Sequence, residues 1–135
     1  MSALYVRNTA RAWATAAGVA NGIPFHDAIN RDVDPAEPLW FTALFDAQSN
    51  NGQTFCFPGK YLENGMIDLV FAGVPGAGDE ALLSKLEPTV AAFCQSVDLS
   101  GRLILGQYEP VEEILSGTAD RWYRLTVAVQ YVYHA

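Results

Sequence analysis

Residues 71–83, FAGVPGAGDEALL, join an apolar run, a loop of glycine and proline, and the first turn of a helix. Phosphate-binding sites have the same order of parts: backbone N–H groups and the positive end of a helix receive the anion. That chemistry also asks for a lysine or a hydroxyl after the last glycine. Here Gly78 is followed by Asp79 and Glu80. Both carboxylates complement the helix dipole themselves. Each would oppose a phosphate by about 4 kcal/mol at a separation of about 4 Å and an effective dielectric near 20. A third glycine in dinucleotide spacing is absent. The loop is therefore read as a turn that holds no cofactor.

Other reactive side chains are sparse. The two histidines are His26, in a proline-bounded segment, and His134, at the end of the chain. Neither forms a metal-ligand spacing with the two cysteines, Cys56 and Cys94, which lie far apart and outside any C-x-x-C pair. Two reduced, buried thiols in a cytosolic protein are expected, and pairing of Cys56 with Cys94 stays open. No G-x-S-x-G elbow is present. Glu112 and Glu113 are adjacent on a polar stretch, where neighbours point apart. No catalytic, cofactor-binding or metal-binding residue is assigned, and the chain is not read as an enzyme.

Composition narrows the partners. The 135 residues carry a net charge of −7, and the eight basic residues are scattered singly. A duplex-binding surface needs clustered cations, so specific nucleic-acid binding is not expected. Half the residues are hydrophobic, enough for one domain spanning 1–135 with a real core. AWATAAGVA after Arg7 and Arg11 faintly resembles a signal peptide, but it is short and weakly apolar. No run is long enough for a membrane span. A mature, soluble chain is expected.

The elements that would position these residues follow from periodicity. Ala3, Val6, Ala10, Trp13, Ala17 and Ala20 share one helical stripe, opposite Arg7, Asn8, Arg11 and Thr15. Asn21-Gly22 ends that helix. LWFTALFDA reads as a strand, Asn51-Gly52 as a hairpin turn, QTFCF as a second strand, Asn64-Gly65 as another turn, and MIDLVFA as a third strand. A second helix is predicted over 79–97, with Leu82, Leu83, Leu86, Val90, Phe93 and Val97 on its apolar face and Pro88 on the outer side. RLILGQY follows as a short strand and EPVEEILSGTAD as a polar loop. RWYRLTVAVQYVY alternates strictly, with Tyr123, Leu125, Val127, Val129, Tyr131 and Tyr133 on one face. The expectation is an α+β domain in the order α-β-β-β-α-β-β. Its mainly antiparallel sheet of about five strands carries two helices on one face. The other face would present Trp40, Leu44 and Trp122, either partly covered or used as a subunit interface.

Several pieces taken in order resemble the small tail-terminator (tail-completion) proteins of long-tailed bacteriophages and prophages. They are the opening helix, Asn21 to Phe25, Trp40-Phe41-Thr42, Val74 to Asp79 leading into a helix that ends near Phe93, and Asp120 to Val127 with its aromatic tail. Their order and spacing carry the likeness; no single piece is specific. The resemblance implies a structural subunit of the virion tail, assembled in the host cytoplasm. It implies a self-associated ring, commonly hexameric, that caps the tail tube, ends its polymerisation and offers a surface to the head–tail connector. DNA would be passing cargo. Trp40, Arg121, Trp122, Arg124, Glu112 and Glu113 are the expected contacts of the oligomer or tube interface, because aromatic and arginine side chains anchor interfaces. Loops at about 46–60 and 109–120 are expected to order on docking. Another neck or tail-tube component is a close alternative. A small-ligand-binding domain with Trp40 and Trp122 lining a pocket is an alternative of a different class.

Overall fold

The computed structural model describes residues 4–27, 38–50, 62–73, 79–109, 112–114 and 123–134. Its elements are α1 (Leu4–Asn21), β1 (Leu39–Asn50), β2 (Leu62–Gly73), α2 (Asp79–Cys94), β3 (Leu103–Tyr108), β4 (Glu112–Ile114) and β5 (Tyr123–His134). All strand pairs are antiparallel, in the order β1-β2-β5-β3, with β4 also paired to β5. β3 and β4 share one edge of β5: β3 pairs with residues 129–133 and β4 with residues 124–126. Among the described residues the sheet is thus four strands wide, and the fold is α+β.

Alternation along the strands decides which face is buried. Phe41 and Ala43 on β1, Ile67, Leu69 and Phe71 on β2, and Leu125, Val127, Val129, Tyr131 and Tyr133 on β5 all point into one core. Both helices close that core. α1 contributes Val6, Ala10, Ala14 and Ala17, whose small side chains bring its backbone close, and α2 contributes Leu82, Leu86, Val90 and Phe93. Trp13 meets Phe93 edge-on, with ring centroids 6.4 Å apart. Ala20, expected on the buried stripe of α1, is exposed, and Ala14 takes the inward place.

Two helix ends show how local chemistry sets the boundaries. Gly22 has φ 70, and the Ile23 N–H donates to the Gly18 carbonyl at 3.0 Å. This is the bond that closes a helix around a left-handed glycine while burying the residue after it. α2 stops at Cys94 rather than at Val97, and Val97 is exposed. The cause is Asp98. Its carboxylate accepts from the Tyr5 hydroxyl at 2.7 Å, the Ser100 hydroxyl at 2.8 Å, and the Ser100 and Leu103 N–H groups at 3.0 and 3.1 Å. That set of bonds redirects the chain into β3 and ties it to α1. Tyr5 also stacks on Tyr133, 5.4 Å between centroids, so three elements meet here. Pro88 lies inside α2 on the exposed side, as its position in the stripe predicts, while the neighbouring Thr89 hydroxyl donates to the Lys85 carbonyl at 2.6 Å.

The Tyr5 hydroxyl, ahead of the bonds from Ser100 and Leu103, holds the Asp98 carboxyl at about 2, below its ordinary 3.8. A depressed carboxylate pKa stabilises the fold above the ordinary value, and that contribution is lost as pH falls towards the folded-state value. Tyr5→Phe is therefore expected to melt below wild type at neutral pH, with the gap narrowing as pH drops from about 4 to about 2. Thermal melts at pH 7, 4 and 2.5 check this; a gap independent of pH would contradict it.

Three expectations need correction. Asn64-Gly65 is not a turn: β2 runs straight through it, Asn64 pairing with Val132 and Gly65 with Tyr131. The stretch after Tyr108 is not wholly a loop, since Glu109 N–H donates to the Ala128 carbonyl and β4 follows. β1 reaches Asn50, so the first expected loop starts later than Asp46. The strand expected at QTFCF and the turn at Asn51-Gly52 lie outside the described residues; among the described residues the element order is α-β-β-α-β-β-β.

Candidate interaction surface

The sheet face turned away from the helices is built from the alternate residues of the same strands. Backbone register lines them up in rows. Trp40 pairs with Ala72, Ala72 with Arg124, and Arg124 with Ile114. The next row is Thr42, Val70, Thr126 and Glu112, and the one after it Leu44, Asp68 and Ala128. Asp46, Met66 and Gln130 follow, and at the far corner Asn64 meets Val132 and Val132 meets Ile104.

Burial is graded along these rows. Thr42 and Ala72 are buried, whereas Leu44 is 47% and Ile104 52% exposed. Met66, Val70, Ala128 and Val132 are half-buried between them. An apolar strip thus runs obliquely from Leu44 through Met66 and Val132 to Ile104, with Asp46 on one side, while Asp68 and Gln130 separate it from Val70 and Ala128. Contiguous half-exposed apolar area of this kind marks an interaction surface more often than scattered single residues do. Trp40 is half-buried and packs edge-to-face with His26, 6.0 Å between centroids. Residues 24–26 reach it by running beside β1: Phe41 N–H donates to the Pro24 carbonyl, and His26 N–H to the Phe41 carbonyl.

Of the interface residues expected from sequence, Trp40 and Arg124 come together in one row, two strands or about 10 Å apart. Glu112 and Glu113 sit on β4, paired with Thr126 and Leu125, so successive residues occupy alternate register positions. Arg121 and Trp122 lie outside the described residues. Leu44 has the outward place expected for it. Val70, Met66 and Ile104 were missed as surface residues; the signal was available in the period-2 alternation, once β2 was extended through Gly65.

A second feature lies at the C-terminal end of α1. An open apolar groove of about 200 Å³ is lined by Thr15, Gly18, Val19, Gly22, Pro24 and Phe25. Cys94 is a free thiol whose pKa is pushed up by burial. Among the described residues, no group of three or more His, Cys, Asp or Glu is placed to hold a metal ion, and no helix is long and apolar enough to cross a membrane. The sequence matches no protein-family model and no curated protein.

Proposed function

We propose that this chain is a structural subunit that associates with copies of itself into a ring, and that the ring caps the tail tube of a long-tailed bacteriophage as a tail terminator. The observation that carries the assembly reading is the half-exposed apolar strip on the outer sheet face, running from Leu44 to Ile104 and open to the tube end or a neighbouring copy. Burying such a band against a protein partner removes apolar area from water at about 25 cal/mol per Å². The terminator role rests on the order of motifs described above, and the acidic balance of the chain suits a ring through which DNA passes without being held. In this reading Trp40, Arg121, Trp122, Arg124, Glu112 and Glu113 contact the tube end or a neighbouring subunit. The ring has a connector protein on its other side and performs no catalysis.

The test is deletion of the gene in the phage or prophage that carries it, followed by electron microscopy of the particles made on induction. Tubes of unregulated length, with heads unattached, are the expected result. Tubes of normal length joined to heads would contradict the proposal.

A further inference from the structure

The two ends of α1 carry different apolar surfaces, a projecting tip and a groove. At its N-terminal end, the turn after α2 holds Leu99 at 99% exposure and Val97 at 73%, with Leu4 at 70%. An apolar tip of this kind would be loose on an unstructured loop, but here it is rigid. Asp98 between the two residues takes four hydrogen bonds, one of them from Tyr5 on α1, and Gly101 N–H donates to the Asp98 carbonyl at 2.9 Å. At the other end, roughly 27 Å away along an 18-residue helix, lies the apolar groove around Val19, Gly22 and Phe25.

Size and charge both fit. A dry apolar cavity of about 150 Å³ accepts a benzene-sized group, so a groove of about 200 Å³ has room for a branched aliphatic side chain. The Lys85 ammonium stands at the groove rim, 3.5 Å from where a Cβ on Gly22 would lie. A tip inserted there would bring the Asp98 carboxylate towards that ammonium. Arg102, beside the tip, lies over the Tyr5 ring, 5.6 Å from its centroid.

We propose that the groove of one copy receives the Val97–Leu99 tip of a second copy of this chain, as the lateral contact that runs around the ring. The inference rests on the self-assembly reading and adds which surfaces meet. A tip on one side and a groove on the other make a head-to-tail contact, which closes into a ring when the rotation between copies permits. Leu99 is the anchor of the contact, with the surrounding area supplied by the neighbouring surfaces. The outer sheet face is left free for the tube.

Two single variants and their mixture test this by sedimentation velocity, with circular dichroism to confirm the fold. Leu99→Asp removes the tip and Val19→Asp charges the groove; both positions are exposed, so folding is expected to be unchanged. Each variant alone should remain monomeric, with self-association at least tenfold weaker than wild type. Mixed together they should form a 1:1 dimer that grows no further, because one keeps its groove and the other its tip. Wild-type-like assembly of both variants would overturn the tip-and-groove contact while leaving self-assembly intact. Loss of assembly in both with no pairing in the mixture would also overturn it. A wild-type chain that stays monomeric at every concentration would overturn the contact and the self-assembly reading together.

Discussion

Phe41→Ala is expected to lower the free energy of unfolding by about 3–5 kcal/mol, the range for deleting a buried phenylalanine ring. Phe41 is fully buried on β1, which ends the described strand order. Its ring stacks on Phe71 across the β1–β2 pair, 4.9 Å between centroids and 12° between planes. It also meets Phe25 edge-on at 5.2 Å. The Phe25 contact holds residues 24–26 against β1, so truncation would remove core volume and loosen the segment that packs on Trp40. A domain of this kind is stable by about 5–15 kcal/mol, so the variant would lose a large fraction of that margin. Urea unfolding should show a lower midpoint with an unchanged slope. A loss below about 1 kcal/mol would mean that the aromatic stack does not hold the strand pair together.

Gly65→Ala is expected to cost about 3 kcal/mol, the upper end of the range for overpacking a close-packed interior. A methyl group at Gly65 would collide with the Asp46 carbonyl oxygen and stand 2.7 Å from the Tyr131 hydroxyl. Neither neighbour yields easily. The carbonyl belongs to β1, and the hydroxyl donates a 2.6 Å hydrogen bond to the Glu63 carboxylate, which is fully buried. Displacing Tyr131 would weaken a hydrogen bond in a site closed to water, where the remaining group bears the desolvation cost. Gly101→Ala is the matched control. It meets nothing within 4 Å but has φ 73, so only the left-handed backbone preference is lost, about 1 kcal/mol. If Gly65→Ala were no more harmful than Gly101→Ala, the close approach beneath Tyr131 would not be structurally required.

Gly65 also shows why part of the fold was not legible in sequence. Asn-Gly is a turn signal because both residues tolerate positive φ. Here φ is not the reason for the glycine, since Gly22 and Gly101 are the glycines with positive φ among the described residues. The glycine makes room for a tyrosine from a strand some 65 residues further along, and no local pattern carries that information. Glu63 is a similar case: a carboxylate reads as exposed until its buried tyrosine partner is known. Where long apolar periodicity existed, the reading transferred directly. The alternation from Leu125 to Tyr133 and the stripe from Leu82 to Phe93 both face the core. Val97 broke the second stripe because the Asp98 bonds end the helix, and the Tyr5 partner of that carboxylate, 93 residues away in sequence, cannot be read from spacing. For the candidate surface, the outward placement of Trp40, Leu44 and Arg124 followed from period 2, whereas their alignment into rows needed the register. β4 is three residues long, below the length at which alternation is visible.

The central claim is that copies of this chain associate through surfaces already formed in the monomer. Sedimentation velocity of the purified wild-type chain across a concentration series, with and without magnesium, tests it most directly. A discrete ring-sized species that gains population with concentration is expected. A single monomer boundary at every concentration would contradict it.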